Sequence, residues 1–231
     1  MKRNTILFDI NETVLNLAPL QAQFTHFFAD ASVATLWFAK LLHTSTVSAL
    51  TGVKTDFATL AANMLDAIAV EKNVQLSETS KATILSTFAT LPAHQDITSA
   101  LMTLKEKGYR TVAFSNSSQQ LISKQIQNAG LMPYFDDIIS VEECNSFKPD
   151  PKVYQFVAAY LKQPLNTLRL VATHDWDTHG AMSVGMLSAY IKRSTEHYHA
   201  HYIQPTIIAT NMNDIVDKIL EEDRLFHQSL A

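Results

Sequence analysis

The chain has 231 residues, 47% of them hydrophobic, and a formal net charge of −4, which is enough apolar side chain for one large domain or a core with a smaller lobe. The charge is mildly acidic with no basic run, which argues against a nucleic-acid or anionic-membrane surface, because both call for clustered Lys and Arg. A single cysteine, Cys144, cannot close an internal disulfide, and no Cys-x-x-Cys pair offers zinc ligands, so a reducing cytosol is the expected compartment.

The opening stretch, "MKRNTILFDINE", has a basic tip, but Asp9 and Glu12 cut its apolar run well short of a signal sequence. No apolar run elsewhere approaches the ~20 residues of a membrane span. A soluble cytoplasmic protein is expected. "TILF" reads as a buried strand ending at Asp9. Between Pro19 and Pro92 there is no proline and only one glycine, Gly52, while apolar residues recur at helical intervals (Leu36, Trp37, Leu41, Leu42; Leu60, Met64, Leu65), which predicts several packed helices. From Pro92 the texture changes. "DITSALMTLKEKG" predicts a helix capped by Asp96 and stopped by Gly108, and "RTVAFSN" a short strand. "SSQQLISKQIQNAG" predicts a helix ended by Gly130, "FDDIISV" a strand, and "PKVYQFVAAYL" a helix with Pro151 in its first turn. "LRLVATH" and "LSAYIKR" read as strands on either side of a short helix at "GAMSVGM". "TIIAT" is a candidate last strand before the closing helix "MNDIVDKILEEDRLF".

Apolar strands alternating with helices predict an α/β fold: a doubly wound, Rossmann-like parallel sheet with right-handed crossovers. The expected organisation is a core of residues 1–15 and 92–231 with a helical cap inserted at 16–91. Ligands in such sheets bind beyond the carboxyl ends of the strands, and a cap placed there would cover them. The alternating histidines of "HYHAHY", residues 197–202, would share one face of a strand, but a solvated loop serves as well, and they are given no function.

Polar residues recur where strands end. Asp9 closes the first strand, Ser115 and Asn116 close "TVAFSN", His174, Asp175 and Asp177 follow "LVAT", and Lys148 lies in "FKPDP" just before a helix. A parallel sheet would bring these ends to one rim. Singly each has an ordinary structural reading, such as Asn116 as a turn residue or Asp177 as a helix cap. Their shared edge favours a site.

The four segments "FDINETVL", "FSNSS", "FKPDPKVY" and "HDWDTHGA", in this order, resemble the motifs of the haloacid dehalogenase superfamily, and look most similar to its L-2-haloacid dehalogenase (type II) branch. The resemblance covers nearly the whole chain. It implies that Asp9 is the nucleophile, that Thr13 holds its carboxylate or loop, and that Lys148 supplies fixed positive charge. It further implies that Asp177 orients or activates the hydrolytic water, while Ser115 and Asn116 contact substrate. Asn11, His174 and Trp176 complete the expected substrate-binding set. Phosphatases of the superfamily usually carry a second Asp two positions after the nucleophile to protonate an alkoxide, a contribution of about 10²–10⁴-fold. Asn11 occupies that position and cannot donate a proton, whereas a departing halide needs none.

The implied reaction displaces halide from a short 2-haloalkanoate, a small anionic substrate, and forms an ester on Asp9 that water hydrolyses, with no cofactor and no metal. The alternatives are a phosphatase or phosphoanhydride hydrolase of the same superfamily, or a catalytically silent carboxylate binder. Cap surfaces often pair subunits in that family, which makes a homodimer the candidate assembly. In two respects the sequence departs from the branch: His174 stands where the branch usually has Asn, and Phe38 stands after Trp37, where an arginine usually receives the halide; residues 16–91 contain no arginine. Lys40 is a poor substitute, since two positions along a helix is about 200° of rotation.

Overall fold

The computed structural model describes residues 3–195 and 197–229. β1 (Thr5–Phe8) is followed by four helices, α1 (Ala18–Phe28), α2 (Ser32–Thr51), α3 (Phe57–Glu71) and α4 (Glu78–Phe88). The chain then runs through α5 (Ile97–Glu106), β2 (Arg110–Ser115), α6 (Gln119–Asn128), β3 (Asp137–Ser140), α7 (Pro151–Leu161), β4 (Leu168–Ala172), α8 (Asp175–Ser183), β5 (Leu187–Ile191), β6 (Ile207–Ala209) and α9 (Met212–Ser229). Among the described residues the strands form one six-stranded sheet in the order β3-β2-β1-β4-β5-β6, every pairing parallel. The predicted doubly wound α/β core is therefore observed, with "TIIAT" contributing its edge.

Strands covered on both faces must be apolar throughout, and every residue of β1 and β4 is buried. β1 is central. Phe8 pairs with Ala113 of β2 and Val171 of β4, so the winding reverses direction at β1. A crevice forms where two neighbouring crossovers leave in opposite directions, and residue 9 emerges into it.

The segment joining β1 to α1 and the one leaving α4 pair with each other. Asn16 N donates to Pro92 O at 2.8 Å, His94 N donates to Val14 O at 2.9 Å, and Leu15 bridges Ala93. α6 ties down the same junction: Gln125 Nε2 donates to Phe88 O at 3.0 Å and Asn128 Nδ2 to Ala89 O at 3.0 Å. The four helices carry their own aromatic core, in which Trp37 lies 5.6 Å from Phe24 and 5.7 Å from Phe88 between ring centroids, with its indole N–H on Ala61 O.

Two local expectations are corrected. Asp96 does not cap α5. Its carboxylate accepts both Arg193 guanidinium nitrogens and the N–H of Met212, because a bidentate charged pair outweighs a single cap bond. The helix predicted at "GAMSVGM" starts earlier, at Asp175, where Asp175 and Asp177 in the first turn suit the positive end of the helix dipole. The histidines 197, 199 and 201 lie in irregular chain. His199 packs its ring against Tyr202 at 4.5 Å and donates its N–H to Asp175. Among the described residues no helix is long and apolar enough to cross a membrane.

Candidate active site

Asp9 is the first residue beyond β1, held to the sheet by its N–H on Val171 O at 3.0 Å, and is only 6% exposed. A tight turn follows, with Val14 N and Leu15 N both donating to Ile10 O and Glu12 at φ 64°. That turn folds Thr13 back so that its hydroxyl donates to Asp9 Oδ2 at 2.8 Å and accepts Thr173 N at 2.9 Å. A fully buried Thr13 thus links the nucleophile candidate to the end of β4.

Lys148 reaches Asp9 from the loop before α7. Its N–H is fixed by Asn116 Oδ1 at 2.9 Å, and its ammonium donates to Asp9 Oδ1 at 3.1 Å, Asp177 Oδ2 at 2.9 Å and Phe114 O at 2.8 Å. The side chain is 1% exposed. Asp177, fully buried, accepts the Tyr154 hydroxyl at its other oxygen at 2.6 Å. Gly180, one turn further along α8, makes this possible. A Cβ there would stand 2.7 Å from Tyr154 Oη and 2.8 Å from Pro149 Cβ, so only glycine lets α7 and α8 approach.

His174 closes the other side. Nδ1 lies 3.1 Å from Asp9 Oδ2 and Nε2 lies 2.8 Å from Glu12 Oε2. Its ring stacks on Trp176 at 5.0 Å and lies 6.3 Å from the Phe38 ring. The two rings lie together across the start of α8.

Charges decide the protonation states. Burial alone would raise the Asp9 carboxyl, but Lys148, the His174 hydrogen bond and charge, and Thr13 outweigh it and hold it well below the usual carboxylate range. Burial would push the His174 imidazole down, yet hydrogen bonds and charge from Asp9 and Glu12 raise it to about 10, so both ring nitrogens carry protons near neutrality. Burial, then the nearby Asp9 charge, raise the Asp177 carboxyl against the pull of Lys148 and Tyr154. Lys148 resists its own desolvation because Asp177 and Asp9 flank it, and it stays charged.

The structure brings Asp9, Thr13, Lys148, Asp177, His174 and Trp176 together at one rim. Asn11 and Ser115 are engaged within the protein. Asn11 donates its Nδ2 to Ser117 Oγ (3.3 Å) and accepts Gln125 Nε2 at its Oδ1 (3.1 Å), so it braces the turn after β2 and α6. Ser115 is fully buried with its Oγ accepting Ser117 N at 3.1 Å, a short turn bond that fixes the chain after β2. At the start of α6 the N–H groups of Gln119 and Leu121 donate to Glu142 Oε2 and Ser118 Oγ. Asn116 is buried beside Lys148, next to a cleft of about 250 Å³ lined by Phe57, Ser118, Glu142 and Phe147.

Sequence reading missed Glu12, Arg193 and Gln125. Glu12 carried no signal, because its partner is 162 residues away. Arg193 donates to Thr13 O and ties the turn after Asp9 to Asp96; its position at the end of "LSAYIKR" is, like Asp9 and Ser115, at the carboxyl end of a strand. The donor set is a poor fit for a divalent cation. Each Asp9 oxygen already faces an N–H or O–H donor, and Asp177 is turned onto Lys148 and Tyr154. Among the described residues no group of three or more His, Cys, Asp or Glu is placed to hold a metal.

The family model for haloacid dehalogenase-like hydrolases matches residues 4–168. The (S)-2-haloacid dehalogenase 1 of Pseudomonas sp. (strain CBS-3) is 29% identical over 190 residues, covering 81% of this chain and 83% of that protein. The (S)-2-haloacid dehalogenase 2 of the same strain is 22% identical over 212 residues, covering 91% and 93%. Among solved structures, the L-2-haloacid dehalogenase of Xanthobacter autotrophicus with chloropropionic acid covalently bound superposes with a TM-score of 0.89 at 19% identity, covering 95% of this chain and 99% of that one.

Proposed function

Because the chain belongs to the haloacid dehalogenase-like hydrolases, we propose that it cleaves the carbon–halogen bond of a short 2-haloalkanoate through an ester on Asp9. The observation that carries this reading is the state of Asp9: buried, ionised, and held through both oxygens by Lys148, Thr13 and His174. Such a carboxylate has lost most of its water and is oriented for in-line attack at carbon. Halide leaves without a proton, and Asn11, engaged with Ser117 and Gln125, is not asked for one. The names of the relatives and the covalently bound chloropropionate in the neighbouring structure support the same chemistry.

In this reading residues 16–91 act as a cap over a core of 1–15 and 92–231, and Phe57 and Phe38 bring apolar surface to the substrate side. Asn116 and Lys148 meet the substrate carboxylate, and the Trp176 indole lies near the departing halide. Asp177 holds Lys148 in place rather than meeting water, since both its oxygens are engaged in the buried cluster.

Incubation with chloroacetate or 2-chloropropionate in EDTA should release halide, and Asp9→Asn should abolish it. In heavy-oxygen water, isotope should enter the Asp9 side chain over multiple turnovers. Halide release by Asp9→Asn at the parent rate, or p-nitrophenyl phosphate hydrolysis that depends on Mg²⁺ with no halide release, would overturn the reading.

A further inference from the structure

We propose that His174, oriented by Glu12, is the general base that hydrolyses the Asp9 ester. This rests on the displacement reading above and names the residue that completes its second half. Asp177 is poorly placed for that work, being fully buried with one oxygen on the Lys148 ammonium and the other on the Tyr154 hydroxyl. His174 is at the rim, with its side chain 12% exposed, its Nδ1 3.1 Å from Asp9 Oδ2 and its Nε2 on Glu12, which is 40% exposed, so the ring lies beside the carboxyl group that becomes the ester. The charged groups facing the ring are Asp9 and Glu12; its flat faces meet Trp176 and Phe38.

The base is enabled by the reaction itself. In the resting enzyme the imidazolium lies between two carboxylates and cannot accept a proton. When Asp9 attacks carbon and halide departs, Asp9 becomes a neutral ester and one of those carboxylates is lost. The ring then no longer has the charge that holds its Nδ1 proton, and Nδ1 releases it to solvent at the rim while Nε2–H stays on Glu12. A water molecule next attacks the Asp9 carbonyl carbon and gives a proton to Nδ1. The tetrahedral intermediate collapses, expelling the 2-hydroxyacid alkoxide, which takes the remaining proton of the attacking water. Asp9 is again a carboxylate and His174 again an imidazolium. The sum is one water consumed, and one halide and one proton released. Glu12 fixes the ring throughout by its bond to Nε2, as a carboxylate orients a catalytic histidine in other nucleophilic enzymes.

The test is a rapid-quench experiment on the whole chain with chloroacetate, following halide and, by mass spectrometry, the Asp9 adduct. In His174→Gln, halide should appear as a burst of about one per enzyme. The adduct should persist, its decay slowed by the roughly 10²–10⁴-fold that a positioned acid–base group contributes. In Glu12→Gln, at a half-exposed position that leaves the fold intact, decay should slow less and its pH profile should shift to lower pH. Ester decay at the parent rate in His174→Gln, with normal burst halide, would overturn the base while leaving the displacement standing. Absence of both halide and adduct in the parent would overturn the displacement and the base with it. Accumulation of adduct in Asp177→Asn but not in His174→Gln would also refute the assignment.

Discussion

Replacing Lys148 by methionine keeps the length and apolar bulk of the side chain and removes one charge from a sealed cluster. The ammonium makes hydrogen bonds to Asp9, Asp177 and the Phe114 carbonyl, at 1% exposure. Without it two buried carboxylates face each other with no cation between them, and a carbonyl oxygen loses its donor. Stripping one partner from a buried charge pair costs about 3–5 kcal/mol. For a chain of this size each kcal/mol lowers Tm by roughly 2–4 °C, so Lys148→Met should melt about 6–20 °C below the parent at neutral pH.

The loss should depend on pH. Asp177 already sits above the usual carboxylate range with lysine present, and in the variant it would bind a proton that the unfolded chain does not hold until near pH ~4. The folded state then carries more protons, and stability rises as pH falls from about 7 to about 5. Lys148→Met/Asp177→Asn should recover part of the loss, with a coupling energy of about 0.5–3 kcal/mol. Thermal melts followed by circular dichroism measure all of this. A fall smaller than about 2 °C, or a double variant no better than the single one, would refute the account of Lys148 as the charge that holds the cluster together.

The Gly180→Ala substitution puts a methyl group 2.7 Å from Tyr154 Oη and 2.8 Å from Pro149 Cβ, and should cost about 1–3 kcal/mol in Tm measurements while weakening the Tyr154–Asp177 bond; an unchanged melting curve would contradict it. Lys40→Ala removes an exposed, solvent-screened pair with Glu71 and should leave both the melting curve and halide release at their parent values. His174 holds its proton more tightly folded than unfolded, so its stabilisation is complete below about pH 6.5 and is lost as pH rises toward about 10. Melting temperatures of the parent and His174→Asn should therefore converge across that range, and a constant gap would show that the imidazolium contributes nothing there.

The parallel sheet was legible because strands covered on both faces have no polar face to interrupt them, so "TILF", "TVAF" and "LRLVA" stand out between helical stretches. The gathering of Asp9, Lys148 and Asp177 was legible for a related reason, since parallel strands place their carboxyl ends on one rim. What the sequence hid is set by side-chain competition. Nothing local shows that Asp96 prefers Arg193 to its own helix, that Ser115 bonds Ser117, or that Glu12 meets a histidine across 162 positions. Asn11 is the instructive intermediate case. Its inability to act as an acid follows from its chemistry, but its role as a brace between Ser117 and Gln125 depends on where α6 packs.

The expected cap cation brings these threads together. Phe38 is 5% exposed, with its ring 6.3 Å from Trp37, Phe88 and His174 alike, so the face that would present an arginine is a wall of aromatic rings. Positive charge at Asp9 comes instead from the core, through Lys148 and His174. Adding the arginine by Phe38→Arg would therefore not restore a missing part. It would replace buried aromatic packing with a charge, at about 2–5 kcal/mol. It would also set a second cation beside the imidazolium, lowering the affinity of His174 for its proton and loosening its hold on Asp9. The expected result is a lower Tm and slower halide release from chloroacetate. Faster release at an unchanged Tm would mean that the site does lack a halide-binding charge on this face and would refute the account of Phe38 as part of a working aromatic wall.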